Sequence, residues 1–467
     1  MRISATTGKY RDISLRLGKL STQNFSVTSG YNTRMSIKRT LVKNTSYNLA
    51  GYGYLLVASF ISVPILLHAL GSSLFGVYML AAGIPVVTSV LDLGLGPAVV
   101  RRLALPERSP CEETRTWGTS LTLFLTLGAV VGVASALVWM FGLVPRLPTT
   151  ISSITGLLLA TILGITVMAN LVNTHFLALP QARLRFDIYN LKTFIVGTAN
   201  TLGAAAVAVV FPVSLISIFF VQLVAHLVTL ALLYSYARRT LTGPLIPRYD
   251  RGEGRELLSF GGKNFGGVVA SQLEAQVSRY ILGIYLTPAA VTYATIPENL
   301  IYKAAGGVNQ LATAFFPVST SLTSPDRLPK LRRLLIYLEL GIVVGGLLGL
   351  GAALLWGEPL LAWWLHDPAV ARAAYPVLVI LSGYAIFLAS SPLPTMVLNS
   401  LNRPEIPSIV AALTLSVELV LMLAFTPRMG YIGPAIASLL TGIVTIPPYV
   451  FYTFRVINQQ IAKLARA

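Results

Sequence analysis

The sequence is short of charge and nearly devoid of cysteine. Only 11% of its 467 residues are Asp, Glu, Lys or Arg, there are 4 histidines, and the single cysteine, Cys111, is followed directly by Glu112 and Glu113. One thiol cannot build a disulfide framework or a cysteine metal site. No Gly-rich phosphate loop and no His/Cys ligand spacing occurs, so the usual signatures of nucleotide-binding and zinc enzymes are missing. The sequence calls for no cofactor and no metal. Acids are scarcer than bases, 17 against 35, for a formal net charge of +18.

What the chain does have is apolar length. It is 54% hydrophobic with a mean hydropathy of +0.71, outside the range of soluble globular domains. A hydrocarbon core of ~30 Å needs about 20 apolar helical residues per crossing, and about twelve runs of that kind are found. They are Asn44 to Leu70, Leu74 to Val100, Trp117 to Leu143, Ile151 to Leu179, Ile188 to Phe211, Val213 to Tyr236, Leu257 to Leu286, Ala290 to Leu322, Leu331 to Trp356, Ala371 to Leu401, Pro404 to Thr426 and Tyr431 to Arg455. Their length and lack of alternating polarity favour helices over barrel strands, since in lipid the backbone must be satisfied internally.

The positive charge is distributed by side. With the N-terminus in the cytoplasm, the inner connections hold Arg101, Arg102, Arg108 and Arg115, then Arg183 and Arg185, then Arg238, Arg239, Arg248, Arg251 and Arg255, then Arg327, Lys330, Arg332 and Arg333. The outer side holds only Arg146, Arg372 and Arg428. This is the positive-inside pattern. The charge therefore reports topology and contact with an anionic leaflet, not nucleic acid. It implies a multi-pass protein of the inner (plasma) membrane with both termini cytoplasmic. Residues 1–43 carry nine basic residues against Asp12 alone, with no apolar stretch that would make a secretory signal. They read as a basic disordered tail, as residues upstream of a true start at Met35, or as an organellar transit peptide.

The longest internal connection, residues 237–256, is basic and contains Gly and Pro, and it divides the spans six and six. Six is even, so both halves begin on the same side, as parallel repeats related by an axis along the membrane normal do. "NTSYNLAGYGY" opens one half and "SFGGKNFGGVV" the other. The expected fold is an all-α polytopic membrane protein: about twelve transmembrane helices in two six-helix lobes around a central cavity. The lobes are residues 44–236 and 257–455, followed by a short tail, 456–467.

"PILLHALGSSLFGVYML" followed by "LDLGLGPAVVRRLA", together with the turn "LNRPEIP" after the tenth span, resembles the polysaccharide repeat-unit flippases (Wzx type) of the multidrug, oligosaccharidyl-lipid and polysaccharide exporter superfamily. The likeness runs from Lys43 to about Arg455. It implies a non-enzymatic exporter that moves an undecaprenyl-diphosphate-linked oligosaccharide from the cytoplasmic to the outer leaflet by alternating access. The resemblance also implies coupling to H+ or Na+, contact with membrane lipids, and partnership with polysaccharide polymerase and export machinery. Where such proteins often carry Arg before the first outer turn, this chain has His68.

Charges inside the seventh and eighth spans are the main site signal. Arg279 lies seven residues before Leu286 and Glu298 eight after Ala290, while Glu274 lies twelve before and Lys303 thirteen after. Arg279 thus matches Glu298 in depth, and Glu274 matches Lys303. Charges five residues apart are separated by about 140° on a helix, so both pairs cannot share one narrow seam. Each central charge costs ~2.5 to 3.5 kcal/mol on insertion scales, and intramembrane ionisable groups usually face an aqueous interior. Structural ion pairing is the alternative. Arg279 and Lys303 are the candidate contacts for a diphosphate, held at rest by Glu298 and Glu274. Lys263 either receives the headgroup first or snorkels to the interface.

Glu418 is a candidate ion-coupling site or a hydrogen-bonded neutral acid. Asp92 is a candidate gate or a local cap. Asn44, Asn48, Asn170 and Asn173 either line the first lobe's side of the cleft or bond between helices. Tyr47, Tyr52 and Tyr54 either stack on sugars or anchor the interface. A drug antiporter or a lipid II flippase is the rival transporter. Glu358, His366 and Asp367 form the one enzyme-like group, on the largest outer loop.

Overall fold

The computed structural model describes residues 33–90, 92, 94–105, 109–143, 153–324 and 326–464; the side chains of 33–50, 87–90, 143, 262–275, 311, 313, 314, 317, 463 and 464 lie outside that description. By compactness the chain divides into Met1–Tyr47 and Asn48–Ala467, and the second unit contains the helical bundle. Every regular element among the described residues is helical, the outcome that lipid imposes on a backbone with no water to bond.

The first half is built from α1 (Thr33–Val90), α2 (Leu95–Leu103), α3 (Pro110–Leu137), α4 (Ser153–Ala182), α5 (Phe186–Thr198), α6 (Ala204–Val210) and α7 (Leu215–Thr240). The second half holds α8 (Arg251–Tyr285), α9 (Pro288–Ser321), α10 (Leu328–Leu365), α11 (Pro368–Ser390), α12 (Pro392–Ser400), α13 (Glu405–Met429) and α14 (Gly433–Leu464). Among the described residues, each of the twelve apolar runs lies for most of its length on helix, two of them continuing through short π-helical segments at Val138–Leu143 and Ala199–Gly203. Among the described residues, eight helical stretches are long and apolar enough to cross a membrane by length and composition, and two of them, Gly51–Val86 and Glu405–Ala462, each cover the larger part of one expected span and some or all of a second. The α8–α9 hairpin, which carries the intramembrane charges, is not among the eight.

Helix starts follow local chemistry. Ser109-Pro110, Thr287-Pro288 and Asp367-Pro368 each put a side-chain acceptor at the N-cap and proline at the first helical position, where the missing N–H is not needed. α1 bends at Gly71, whose φ of 70° and ψ of 166° make the turn between its two arms.

The second expected span, Leu74 to Val100, is shorter than the sequence suggested. The helix ends at Val90, Asp92 and Gly94 form a turn, and α2 restarts at Leu95. The cause is Gly94, at φ 70°, whose N–H donates to Asp92 Oδ1 at 2.8 Å. α2 buries Leu95, Ala98, Val99 and Leu103 and leaves Arg101 and Arg102 less buried, an amphipathic arrangement that a hydropathy average over the whole run conceals. At the C-terminal end, α14 continues past Arg455 to Leu464.

The two halves meet along two helix pairs. The second arm of α1 runs antiparallel to α8. Gly76 abuts the Pro288 carbonyl, Leu80 packs on Gly283, the Tyr280 hydroxyl lies at Gly83, and Gly94 abuts Gly261. A Cβ at Gly76 would coincide with the Pro288 oxygen, so glycine sets the approach there. The first arm of α1 runs antiparallel to α9. Tyr52 Oη donates to the Lys303 carbonyl at 2.6 Å, and Leu56, Ser59, Phe60 and Val63 face Lys303, Leu300, Asn299 and Ile296. First helix against second and second against first is the pairing a twofold axis along the membrane normal produces from two repeated hairpins.

The linker lies against α3. Arg248 N donates to Gly118 O at 3.1 Å, Asp250 N donates to Thr119 Oγ1 at 3.1 Å, and Asp250 caps α8 through Glu253 N at 2.9 Å. Arg102 grips Glu253 with Nε at 3.0 Å and Nη2 at 2.9 Å, and Nη2 also reaches Glu256 at 2.8 Å.

Candidate functional site

The charged groups of α8 and α9 divide by helix face. Arg279 Nη2 donates to Asn299 Oδ1 at 2.6 Å, and Asn299 Nδ2 contacts Met79 Sδ at 3.7 Å on α1. Asn299 and Lys303, one turn apart, line a pocket of about 130 Å³ between the halves, walled by Leu56, Ser59, Phe60, Val63 and Trp364. Trp364 is fixed there by stacking on Phe60 at 4.7 Å and by donating from Nε1 to Phe60 O at 2.8 Å. The cations Arg279 and Lys303 lie within electrostatic reach of each other. Among the described residues, no acceptor pairs with the Lys303 ammonium.

Glu298 faces elsewhere. It is 5% exposed, hydrogen-bonds with Ser278, and lines a crevice inside the second half with Tyr302, Tyr431 and Ser438. Consecutive residues on a helix point about 100° apart, which is why Ser278 and Arg279 on α8 turn in different directions, as do Glu298 and Asn299 on α9. Equal depth therefore does not make the expected Arg279–Glu298 ion pair: no such pair forms within 4 Å among the described residues, and an asparagine takes the guanidinium instead. Glu274 and Lys263 have side chains outside the described residues, as do Asn44, Tyr47 and Asn48.

Glu418, 2% exposed, accepts from Ser438 Oγ at 2.6 Å. Ser438 also lines the Glu298 crevice, so two acids that the sequence put in separate roles share one serine neighbour. Asp92 works as a cap through Gly94, while Arg101 lies over the Phe260 ring at 4.5 Å and Arg102 goes to Glu253. Asn170 Nδ2 donates to Pro85 O at 3.4 Å and Asn173 Nδ2 to His226 O at 2.9 Å, the interhelical use of these amides. Tyr54 tilts on Phe194 at 4.8 Å and exchanges a 2.9 Å hydrogen bond with Thr198. Of the enzyme-like trio, Asp367 caps α11, accepting from Ala369 N at 3.0 Å and Val370 N at 3.1 Å, Glu358 faces Arg372 at 3.6 Å, and His366 ends α10 at φ 53°. These are structural uses.

Several further polar groups within the helices were not singled out from the sequence. Glu339 on α10 is 8% exposed beside Ser390. Lys192 on α5 is half-buried near His226, and His175 is enclosed by Trp117, Phe124 and Phe176. Glu339 and Lys192 lie inside predicted spans, so a uniform search for intramembrane charge would have found them. Asn299 had no such signal. A second cavity, about 660 Å³, lies wholly in the second half between α9, α11, α12, α13 and α14.

Two packed helical halves, apolar outside and holding ionised residue types at their contact, define a polytopic membrane transporter. The chain belongs to the family described as "Polysaccharide biosynthesis protein", whose pattern matches residues 41–323. It is 22% identical over 403 residues to a putative O-antigen transporter of Shigella flexneri, covering 85% of this chain and 94% of that one. It is 32% identical over 136 residues to the probable flippase AglR of Haloferax volcanii, 28% of each chain. Among solved structures the fold is similar to an inward-facing multidrug resistance MATE family transporter of the MOP superfamily (TM-score 0.66, 15% identity, 91% of this chain and 96% of that chain). It is also similar to the lipid II flippase MurJ in an inward closed conformation (TM-score 0.65, 14% identity, 92% and 91%).

Proposed function

We propose that this protein flips an undecaprenyl-diphosphate-linked oligosaccharide from the cytoplasmic to the outer leaflet of the inner membrane. Alternating access of residues 44–236 against 257–455 across the 237–256 linker would carry it, with the linker side cytoplasmic. The observation that carries the reading is that Arg279, bonded to Asn299, and Lys303, which lines the same pocket as Asn299, lie within electrostatic reach of each other at the contact between the halves. Two cations near one polar anchor suit a diphosphate, which cannot cross hydrocarbon bare, and an arginine fork adds bidentate recognition. Family membership and the names of the two curated relatives support the same cargo class. Coupling to H+ or Na+ is assigned to the second half, with Glu418 as the candidate acid. Lys263 remains a proposed first contact, with Glu274 as the proposed partner of Lys303. Asp92 remains a proposed coupling or gating acid at the turn it caps, and Asn44, Asn48 and Asn170 remain proposed lining of the first half's side of the path.

The test is complementation of a strain whose own flippase gene is deleted. Arg279→Ala and Lys303→Ala should each lower surface polysaccharide at least tenfold with normal amounts of protein in the membrane. Full export by both variants would remove the cation pair from the mechanism.

A further inference from the structure

The 660 Å³ cavity has a composition unlike that of the cation-bearing pocket. None of its twenty lining residues is Asp, Glu, Lys, Arg or His. Its volume lies within the roughly 300–1,000 Å³ typical of small-molecule sites. Three tyrosines (302, 384 and 449) and two asparagines (309 and 399) contribute to the wall. Thr414 is 6% exposed, lines the cavity, and its hydroxyl has no hydrogen-bond partner among the described residues. Among the described residues, nothing pairs with the amides of Asn309 and Asn399.

Chemistry narrows the occupant. A diphosphate calls for cationic side chains, and a cationic drug calls for carboxylates; the wall has neither. A polyprenyl tail would leave the amides and the Thr414 hydroxyl desolvated and unpaired, which is unfavourable. Groups that both donate and accept, set beside aromatic faces, match an uncharged ligand rich in hydroxyls. Position agrees. Tyr302, Ala305, Gly306 and Asn309 form one face of α9, while Asn299 and Lys303 lie on the neighbouring one. The lining also extends to Asn399 and Pro404, at the turn that four crossings place on the same side as the linker.

We infer that this cavity is a subsite for the saccharide part of the cargo, separate from the pocket that Arg279 and Lys303 serve and open toward the linker side. The inference rests on the flippase reading and adds where the sugar is held. The test uses the full chain in lipid nanodiscs with two probes: undecaprenyl diphosphate bearing N-acetylglucosamine, and undecaprenyl diphosphate without sugar. Ala411→Trp, which fills the cavity, should weaken binding of the glycosylated probe at least tenfold and change the bare lipid less than twofold. Thr414→Val, which keeps volume and removes one hydroxyl, should weaken the glycosylated probe about threefold with the melting temperature unchanged. Equal weakening of both probes by Thr414→Val, or no weakening by either variant, overturns the subsite. Wild type that binds the glycosylated probe while the variants are silent sinks the subsite alone. Wild type that binds neither probe overturns the flippase reading and the subsite with it.

Discussion

The two halves share a plan but not an interior. Among the described residues, the buried polar side chains of the first half are hydroxyls, amides and imidazoles: hydroxyls such as Ser120, Ser135 and Thr166 bond back to their own helix, Asn173 reaches the His226 carbonyl, and His175 sits among Trp117, Phe124 and Phe176. In the second half, Glu298, Glu339 and Glu418 are all buried within helices of the bundle, and the 660 Å³ cavity opens among those helices. A carboxylate in that environment is costly to insert, while an amide bonded across helices is cheap. A repeat that has kept costly groups is the one in which chemistry is first to be sought; the interior of its twin reads mainly as scaffold, apart from Lys192 and the residues proposed above as gate and lining.

Three experiments put that contrast at risk. The largest effect is expected from exchanging charges, Arg279→Glu with Glu298→Arg. Because Arg279 faces Asn299 and Glu298 faces Ser278 and Ser438, the exchange leaves each charge among the wrong neighbours. Surface polysaccharide should stay at least tenfold below wild type, and recovery would show that the two act as a pair. A middle effect is expected at the contact between the halves. Arg102→Ala strips the guanidinium from Glu253, which is 7% exposed and also accepts from Thr116. Loss of a hydrogen bond to a charged group costs about 1.5–3 kcal/mol, so thermal unfolding of the purified protein should begin several degrees lower, with Arg102→Lys falling between. The smallest effect belongs to the first half's interior. Among the described residues neither ring nitrogen of His175 has a hydrogen-bond partner, so His175→Leu should alter stability by less than about 1.5 kcal/mol and leave export at wild-type levels. A large loss of export would mean that the first half is more than scaffold.

Much of the architecture was legible in the sequence, because lipid leaves the backbone little choice and apolar run length nearly fixes where helices lie. Among the described residues each of the twelve runs is helical over most of its length, and Asp250, Thr287 and Asp367 begin their helices as their chemistry requires. Errors came where one residue changes direction: Gly94 turns the expected second span into two helices. The site was half legible. Arg279, Lys303, Glu298 and Glu418 were recognisable as charges out of place, but their partners were not. Depth can be counted from a turn, whereas facing depends on a rotation of about 100° per residue, and an error of one residue moves a side chain to another neighbour.

That this is a polytopic, all-helical membrane protein in two halves was written in the linear chain, because hydropathy, charge asymmetry and an even number of spans are properties of order along it. Packing alone settled that Arg279 goes to Asn299, that Glu298 and Glu418 flank Ser438, and that the 660 Å³ cavity lies inside the second half. These contacts join residues twenty or more positions apart on different helices, and their meeting is set by how the helices rotate against one another, a quantity no local window of sequence contains.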